Sequence, residues 1–109
     1  MDIMETRKLY AQGKEAWNDW AKDMLDKRDG SPEWENAAKA NFGSHEFDQE
    51  ADFSEFKFPS DVYFTKAHFK RSAHFDEAEF EGRALFDRSV FEGERVGFEY
   101  ATFKNGIIS

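Results

Sequence analysis

The sequence predicts a β-solenoid closed at its N-terminal end by a helical cap. Three observations predict it. Twelve of the thirteen phenylalanines, from Phe42 to Phe103, fall on one grid whose steps run 5, 6, 5, 6, 5, 6, 5, 6, 5, 7, 5. Two residues before each grid Phe the chain usually carries a small residue, Ala in seven of the twelve cases. Ahead of the grid, apolar residues recur instead at three- and four-residue steps. A fixed internal period marks stacked repeats, and stacked repeats make long faces rather than pockets.

The cap comes first, over residues 1–39. Leu9, Gly13, Ala16, Trp17, Trp20, Ala21 and Met24 recur at helical spacing and form one apolar stripe. Asp2, with Glu5 three residues later, caps the start. Gly30 follows the last periodic residues as a stop. Ser31-Pro32-Glu33 then restarts a short helix, with Ser as N-cap, Pro in the first turn and an acid at the positive end of the dipole. Trp34, Ala37 and Ala38 give that helix one apolar side. Trp17, Trp20 and Trp34 are expected to bury against the first turn of the solenoid, near Phe42, Phe47 and Phe53.

Residues 40–105 are the repeat. A five-residue step rotates a helix by about 140° net, which scatters the Phe around its axis. An alternation of five and six swaps the faces of a simple strand. A chain that turns a corner every five or six residues satisfies both steps. The small residue and the Phe then point inward, and the other positions point out. Phe56, the one Phe off the grid, takes the small-residue slot before Phe58. Residues 106–109 are a tail, and Ile107, Ile108 and Ser109 are too few to form a cap.

Ala51-Asp52-Phe53-Ser54-Glu55 and Ala78-Glu79-Phe80-Glu81-Gly82 resemble the A-[D/N]-[L/F]-x-x units of pentapeptide-repeat proteins. Gly13-Lys14-Glu15-Ala16-Trp17-Asn18-Asp19-Trp20 resembles the WNxW helical lead-in found before such repeats in many bacterial members. The resemblance implies a right-handed quadrilateral β-helix with four units per coil, so the twelve units here make three coils. The extra residue after every second unit lengthens the coil to 22 residues and bulges it at two corners, and the seven-residue step over Glu92 to Gly97 adds one more. At about 4.8 Å between stacked strands the stack is ~14 Å tall. Its interior is expected to hold ladders such as Phe42–Phe64–Phe86 and Phe47–Phe69–Phe91. The last coil has no cap to match the first.

A 22-residue coil also fixes neighbours on the outside. Glu46 is expected beside His68 and Asp52 beside His74, as surface carboxylate–imidazole pairs. Tyr63 and Leu85 stack outward, with Val90 on the next face. No metal or cofactor site is expected, because His68 and His74 fall on adjacent faces and His45 takes an inward slot. The face on Phe53, Phe75 and Phe98 displays Asp52, Glu55, Asp76, Glu77 and Glu99 and no Lys or Arg. Glu79 and Glu81 lie on the next face. Lys66 and Arg88 mark a different one.

Composition bounds the function. The formal net charge is −8, and the repeat region holds 14 acids against 8 bases. That argues against nucleic acid or an anionic membrane as a direct partner. No cysteine is present, which removes thiolate chemistry and suits a reducing cytoplasm. No stretch approaches a membrane span and no leader is apparent, so a cytoplasmic location is expected. No Gly-rich phosphate loop, nucleophile elbow or HExxH occurs, and convex faces offer no pocket to raise a pKa, so the chain is not expected to be an enzyme.

The resemblance implies one function, and the unpaired edges of the last coil suggest another. Some pentapeptide-repeat proteins match B-DNA in width and charge and bind proteins that handle DNA, such as DNA gyrase. On that reading the chain is a bacterial or phage inhibitor that occupies the basic groove of a topoisomerase or defence nuclease complex through Asp52, Glu55, Asp76, Glu77, Glu79, Glu81 and Glu99. The alternative is an assembly module whose open C-terminal coil pairs with a second copy or another partner.

Overall fold

The computed structural model describes residues 1–105, so the 106–109 tail lies outside the described residues. Three helices come first: α1 (Ile3–Ala11), α2 (Lys14–Asp26) and α3 (Pro32–Ala38). Both expected N-caps form. Asp2 and Glu5 make a reciprocal capping box, and the Ser31 hydroxyl accepts the Trp34 N–H with Pro32 opening the helix. The single long stripe does not form. The chain breaks at Gln12-Gly13, where Gly13 holds φ 99°, a backbone state open to Gly at little cost. Gly30 is not the C-cap either: α2 ends at Asp26 on Lys27, and Gly30, at φ 75°, turns the chain into α3.

Twelve two-residue strands follow, in four parallel sheets of three. Ala40–Asn41, Val62–Tyr63 and Ala84–Leu85 form one face. Glu46–Phe47, His68–Phe69 and Val90–Phe91 form the next. Ala51–Asp52, Ala73–His74 and Val96–Gly97 form the third, and Lys57–Phe58, Glu79–Phe80 and Thr102–Phe103 the fourth. This is a quadrilateral β-helix of three coils, spanning residues 40–61, 62–83 and 84–105. Partners are 22 residues apart throughout the first two faces and between coils one and two elsewhere. Ala73 pairs with Val96 and Glu79 with Thr102, 23 residues on, which absorbs the seven-residue step.

The alternation of five and six reflects two kinds of corner. After Phe42, Phe53 and their stacked equivalents, the chain turns through a tight bend closed by bonds such as His45 N–H to Phe42 C=O, 3.1 Å. The residue before the bond donor is left-handed at every such corner: Ser44, Glu55, Lys66, Glu77, Arg88 and Tyr100, with φ from 58° to 64°. The other two corners hold the extra residue in a wider bend. There the coils touch closely: a Cβ at Gly93 would lie 2.1 Å from the Arg71 carbonyl carbon, so only Gly fits.

Inside, the grid Phe form four ladders. Phe42–Phe64–Phe86 stack at 5.1 and 5.0 Å with planes 4° apart, and Phe47–Phe69–Phe91 at 4.6 Å. Phe53–Phe75–Phe98 and Phe58–Phe80–Phe103 repeat the arrangement at 4.6 to 5.2 Å. Ladders meet edge-on, as Phe64 and Phe75 do at 83°, a favourable aromatic geometry. The four rings of coil two are fully buried. Ala51, Ala67, Ala73, Ala78 and Ala84 are buried in the small-residue slots, and Phe56 fills one of them in coil one.

Candidate functional site

The two ends of the stack are finished differently. At the first coil, side chains from the helices take the hydrogen bonds that a preceding coil would take. The buried Thr6 hydroxyl accepts the Asn41 N–H at 3.0 Å while donating to the Asp2 carbonyl. Asn18 accepts the Lys57 N–H through Oδ1 at 2.9 Å and donates through Nδ2 to the Glu55 carbonyl at 3.0 Å. Trp17 Nε1 donates to the Lys57 carbonyl at 2.9 Å. The Trp-Asn pair of the lead-in thus closes an open sheet edge.

The aromatic lid differs in part from the expectation. Trp17 is fully buried and lies over Phe42, Phe56 and Phe58. Trp20 instead packs edge-on against Trp17 and is half-buried. Trp34 is buried against α2, where its Nε1 donates to the Met24 carbonyl and Arg28 lies over its ring. Tyr10 does the work expected of those two Trp. It stacks on Phe53 at 4.9 Å and meets Phe42 and Phe47 edge-on. Burial pushes the Tyr10 hydroxyl pKa up, and Asp52 adds to the rise.

The seven acids separate into three groups. Glu55 is held by Lys14 of α2 at 3.2 Å, and Glu81 by Lys104 at 2.6 Å with Arg28 at 3.9 Å. Asp52 caps the Ser54 N–H. Burial alone would raise its pKa, but the Ser54 bonds, Lys14 and His74 hold it below the usual carboxylate value. Asp76 accepts the Glu99 N–H at 3.0 Å, and Glu77 and Glu99 are exposed beside it, joined by a backbone bond across coils two and three. Among the described residues Asp76, Glu77, Glu79 and Glu99 make no ion pair within 4.0 Å. No Lys or Arg comes from this face itself. Lys14 arrives from α2, while Arg28, just past its C-cap, reaches Glu81 on the next face, and only the docking of the cap against the stack reveals either pairing.

Glu46 does sit opposite His68, and Asp52 opposite His74. The imidazoles, however, pair elsewhere: His68 with Glu92 of coil three, and His74 with Glu50 at 3.6 Å. Long acids at the wider corners reach over the strand, whereas a residue directly opposite points straight out. Asp61 and Arg83 make a further link between coils, through Arg83 Nη2 at 2.8 Å and its backbone N–H at 2.8 Å. His45 projects inward as expected. Its ring stands 4.3 Å from Phe47, and its Nδ1 is buried without a hydrogen-bond partner among the described residues.

At the third coil the ladders end on half-buried rings: Phe86, Phe91, Phe98 and Phe103. No described residue stacks beyond them. Val96 stands in the slot that Ala51 and Ala73 fill below it, yet it is 42% exposed, and Val90 is 50% and Tyr100 84% exposed.

A groove of about 880 Å³ lies against the helical cap and is lined by none of the seven acids. Among the described residues no three His, Asp or Glu side chains gather as metal ligands, and no helix is long and apolar enough to cross a membrane. A family model for pentapeptide repeats, in nine copies, matches residues 37–90 and 64–107. No curated protein and no solved structure matches the chain. The ladders, the four three-stranded faces and the matched span lead to one family: the chain belongs to the pentapeptide-repeat proteins.

Proposed function

We propose that the chain is a non-enzymatic protein-interaction module that works end-on, through the open face of its third coil. One observation carries this reading. Among the described residues, the same four ladders that are sealed by helices at one end finish in half-buried rings beside exposed Val96 at the other. An uncovered strand edge is a template for another chain's backbone, and the half-exposed rings beside it add apolar area to any partner that docks there.

A second reading keeps the acidic face as a DNA mimic directed at a basic, DNA-handling protein, such as a topoisomerase or a defence nuclease complex. What favours it is the column of Asp76, Glu77 and Glu99, acids without ion pairs among the described residues. Glu55 and Glu81 are answered by Lys14, Lys104 and Arg28, so the mimic reduces to that column with Asp52 and Glu79 at its margins.

Capture from extracts of the native host separates the two. End-on binding is lost in Val96→Lys and survives in Glu77→Lys/Glu99→Lys. Mimicry gives the reverse pattern, together with a steep decline as salt rises. Partners retained by both variants would discard both readings.

A further inference from the structure

We infer that the first coil offers a docking edge, along Glu46–Phe47 and Ala51–Asp52, to an extended basic segment of another protein, which binds by adding a strand there. The site lies at the capped end of the stack and does not depend on the end-on reading above.

The edge is read from the backbone. In a parallel ladder, successive residues of a strand direct their N–H and C=O groups toward opposite neighbours. In coil one, Phe47 and Ala51 bond toward coil two. The Phe47 carbonyl accepts the Lys70 N–H at 3.1 Å, and the Ala51 N–H donates to the Ser72 carbonyl at 3.0 Å. Glu46 and Asp52 therefore direct their groups away from coil two, as Asn41 and Lys57 do on the other two faces. The helices answer Asn41 and Lys57 through Thr6, Asn18 and Trp17. Among the described residues the backbone N–H groups of Glu46 and Asp52 have no partner, and each of their strands is bonded to one neighbour only. The cap thus closes two sheet edges of coil one and leaves two bare. Tyr10 covers the rings behind these two, Phe47 and Phe53, so the interior is closed and only the edge is free. Glu46, Asp48, Gln49, Glu50 and Asp52 are all exposed along it.

Charge selects the occupant. From Glu46 to Asp52 the rim carries four acids and no base. Such an edge repels a second copy of itself and attracts a basic chain. Coil two is an example of the fit, on the side already bonded. Its stretch from His68 to His74 contains Lys70 and Arg71 and no acid. It lies along the same rim, with Lys70 paired to Asp48 at 3.1 Å and His74 to Glu50 at 3.6 Å. A partner segment with Lys or Arg at those places repeats on the free side what coil two does on the other. Its inward positions must be small, because Tyr10 takes the space of a further Phe. Arg7, near His45, and Lys14, paired with Glu55, stand at the two ends of the rim. The basic residues of the segment therefore belong in its middle, opposite Asp48 and Glu50.

The probe is a synthetic peptide of residues 67–74 carrying Phe69→Ala, titrated to millimolar concentration into the full chain at low salt. In amide-resolved NMR, the Glu46 and Asp52 N–H signals should move and exchange about 10-fold more slowly. Asn41 and Lys57, already bonded, should stay as they are. The same peptide with Lys70→Glu and Arg71→Glu should bind at least about 10-fold more weakly. In the protein, Glu46→Pro should abolish binding and keep the fold, because the N–H it removes bonds nothing in the free chain and Pro is tolerated at such an edge. If Glu46→Pro does not fold, Glu46→Lys/Glu50→Lys takes its place and should weaken binding about 10-fold or more. A peptide that leaves Glu46 and Asp52 unchanged, that binds as well with its charges reversed, or that moves Glu77 and Glu99 instead would overturn the inference. So would a folded Glu46→Pro, or the double Lys variant, that binds as the wild type does.

Discussion

Phe58 and Phe103 are the first and last rings of one ladder. Phe58 is fully buried, with Trp17 above it and Phe80 below at 4.8 Å. Phe103 has Phe80 on one side at 4.6 Å and no described residue on the other. The sequence repeats at both places, so the difference lies in what covers the coil. A ring in a stack is buried by its neighbours along the axis, and a terminal coil gains that burial only if something that is not a repeat supplies it. At the first coil the chain uses three helices, an aromatic lid and three side chains that act as backbone. At the third it supplies none of these among the described residues.

Removing one side of this contrast has the largest effect. A chain begun at Ala40 exposes Phe42, Phe47, Phe53 and Phe56 together with a bare sheet edge. It should lose its folded state or its solubility, measured by circular dichroism and gel filtration. A chain ended at Arg83 merely moves the open end down one coil and should stay folded. Equal behaviour of the two would show that the ends are not different in kind.

Single rings sharpen the comparison. Phe58→Ala should cost about 3–5 kcal/mol in chemical denaturation, as expected for a fully buried ring. Phe103→Ala should cost less than half of that, because no described residue covers its second face. Asn18→Ala comes next. It leaves the Lys57 N–H and Glu55 C=O without partners and should cost about 1–3 kcal/mol, with no counterpart at the open end.

The smallest effect is a pH dependence confined to the capped end. Burial lowers the pKa of His45, Arg7 lowers it further, and Asp48 opposes them. An unfolded His titrates near 6.5. Below that value the unfolded chain therefore binds more protons than the folded one, and stability falls as the pH drops. Coil two holds Ala67 at the equivalent slot, so His45→Ala should flatten the part of the stability profile that lies just below about pH 6.5. A profile unchanged by the substitution would place the acid sensitivity elsewhere.

The ladders were legible because a Phe placed every five or six residues has one way to point inward throughout, and the 22-residue register follows from the same spacing. The sites were less so. Tyr10 was hidden because a stripe drawn through Gly13 treats α1 and α2 as one helix, and only the break at Gly13 turns Tyr10 onto Phe53. Asn18 reads as a solvent-facing residue between two Trp, although the lead-in around it was a visible signal. The pairing of Glu55 with Lys14 and of Glu81 with Arg28 depends on the angle at which α2 meets the stack, which no spacing encodes. His68 chose Glu92 over Glu46 because side-chain reach, not strand register, decides surface pairs.

All three tryptophans lie in the cap, and the coils carry phenylalanine in their place. Indole emission therefore reports on the closed end alone, while the far-ultraviolet signal of the strands reports on the whole stack. In a heated or denatured sample the two signals can part company. If the molecule frays from its open coil, the strand signal declines before the indole bands shift, and the interval between the two midpoints measures how strongly one coil holds the next.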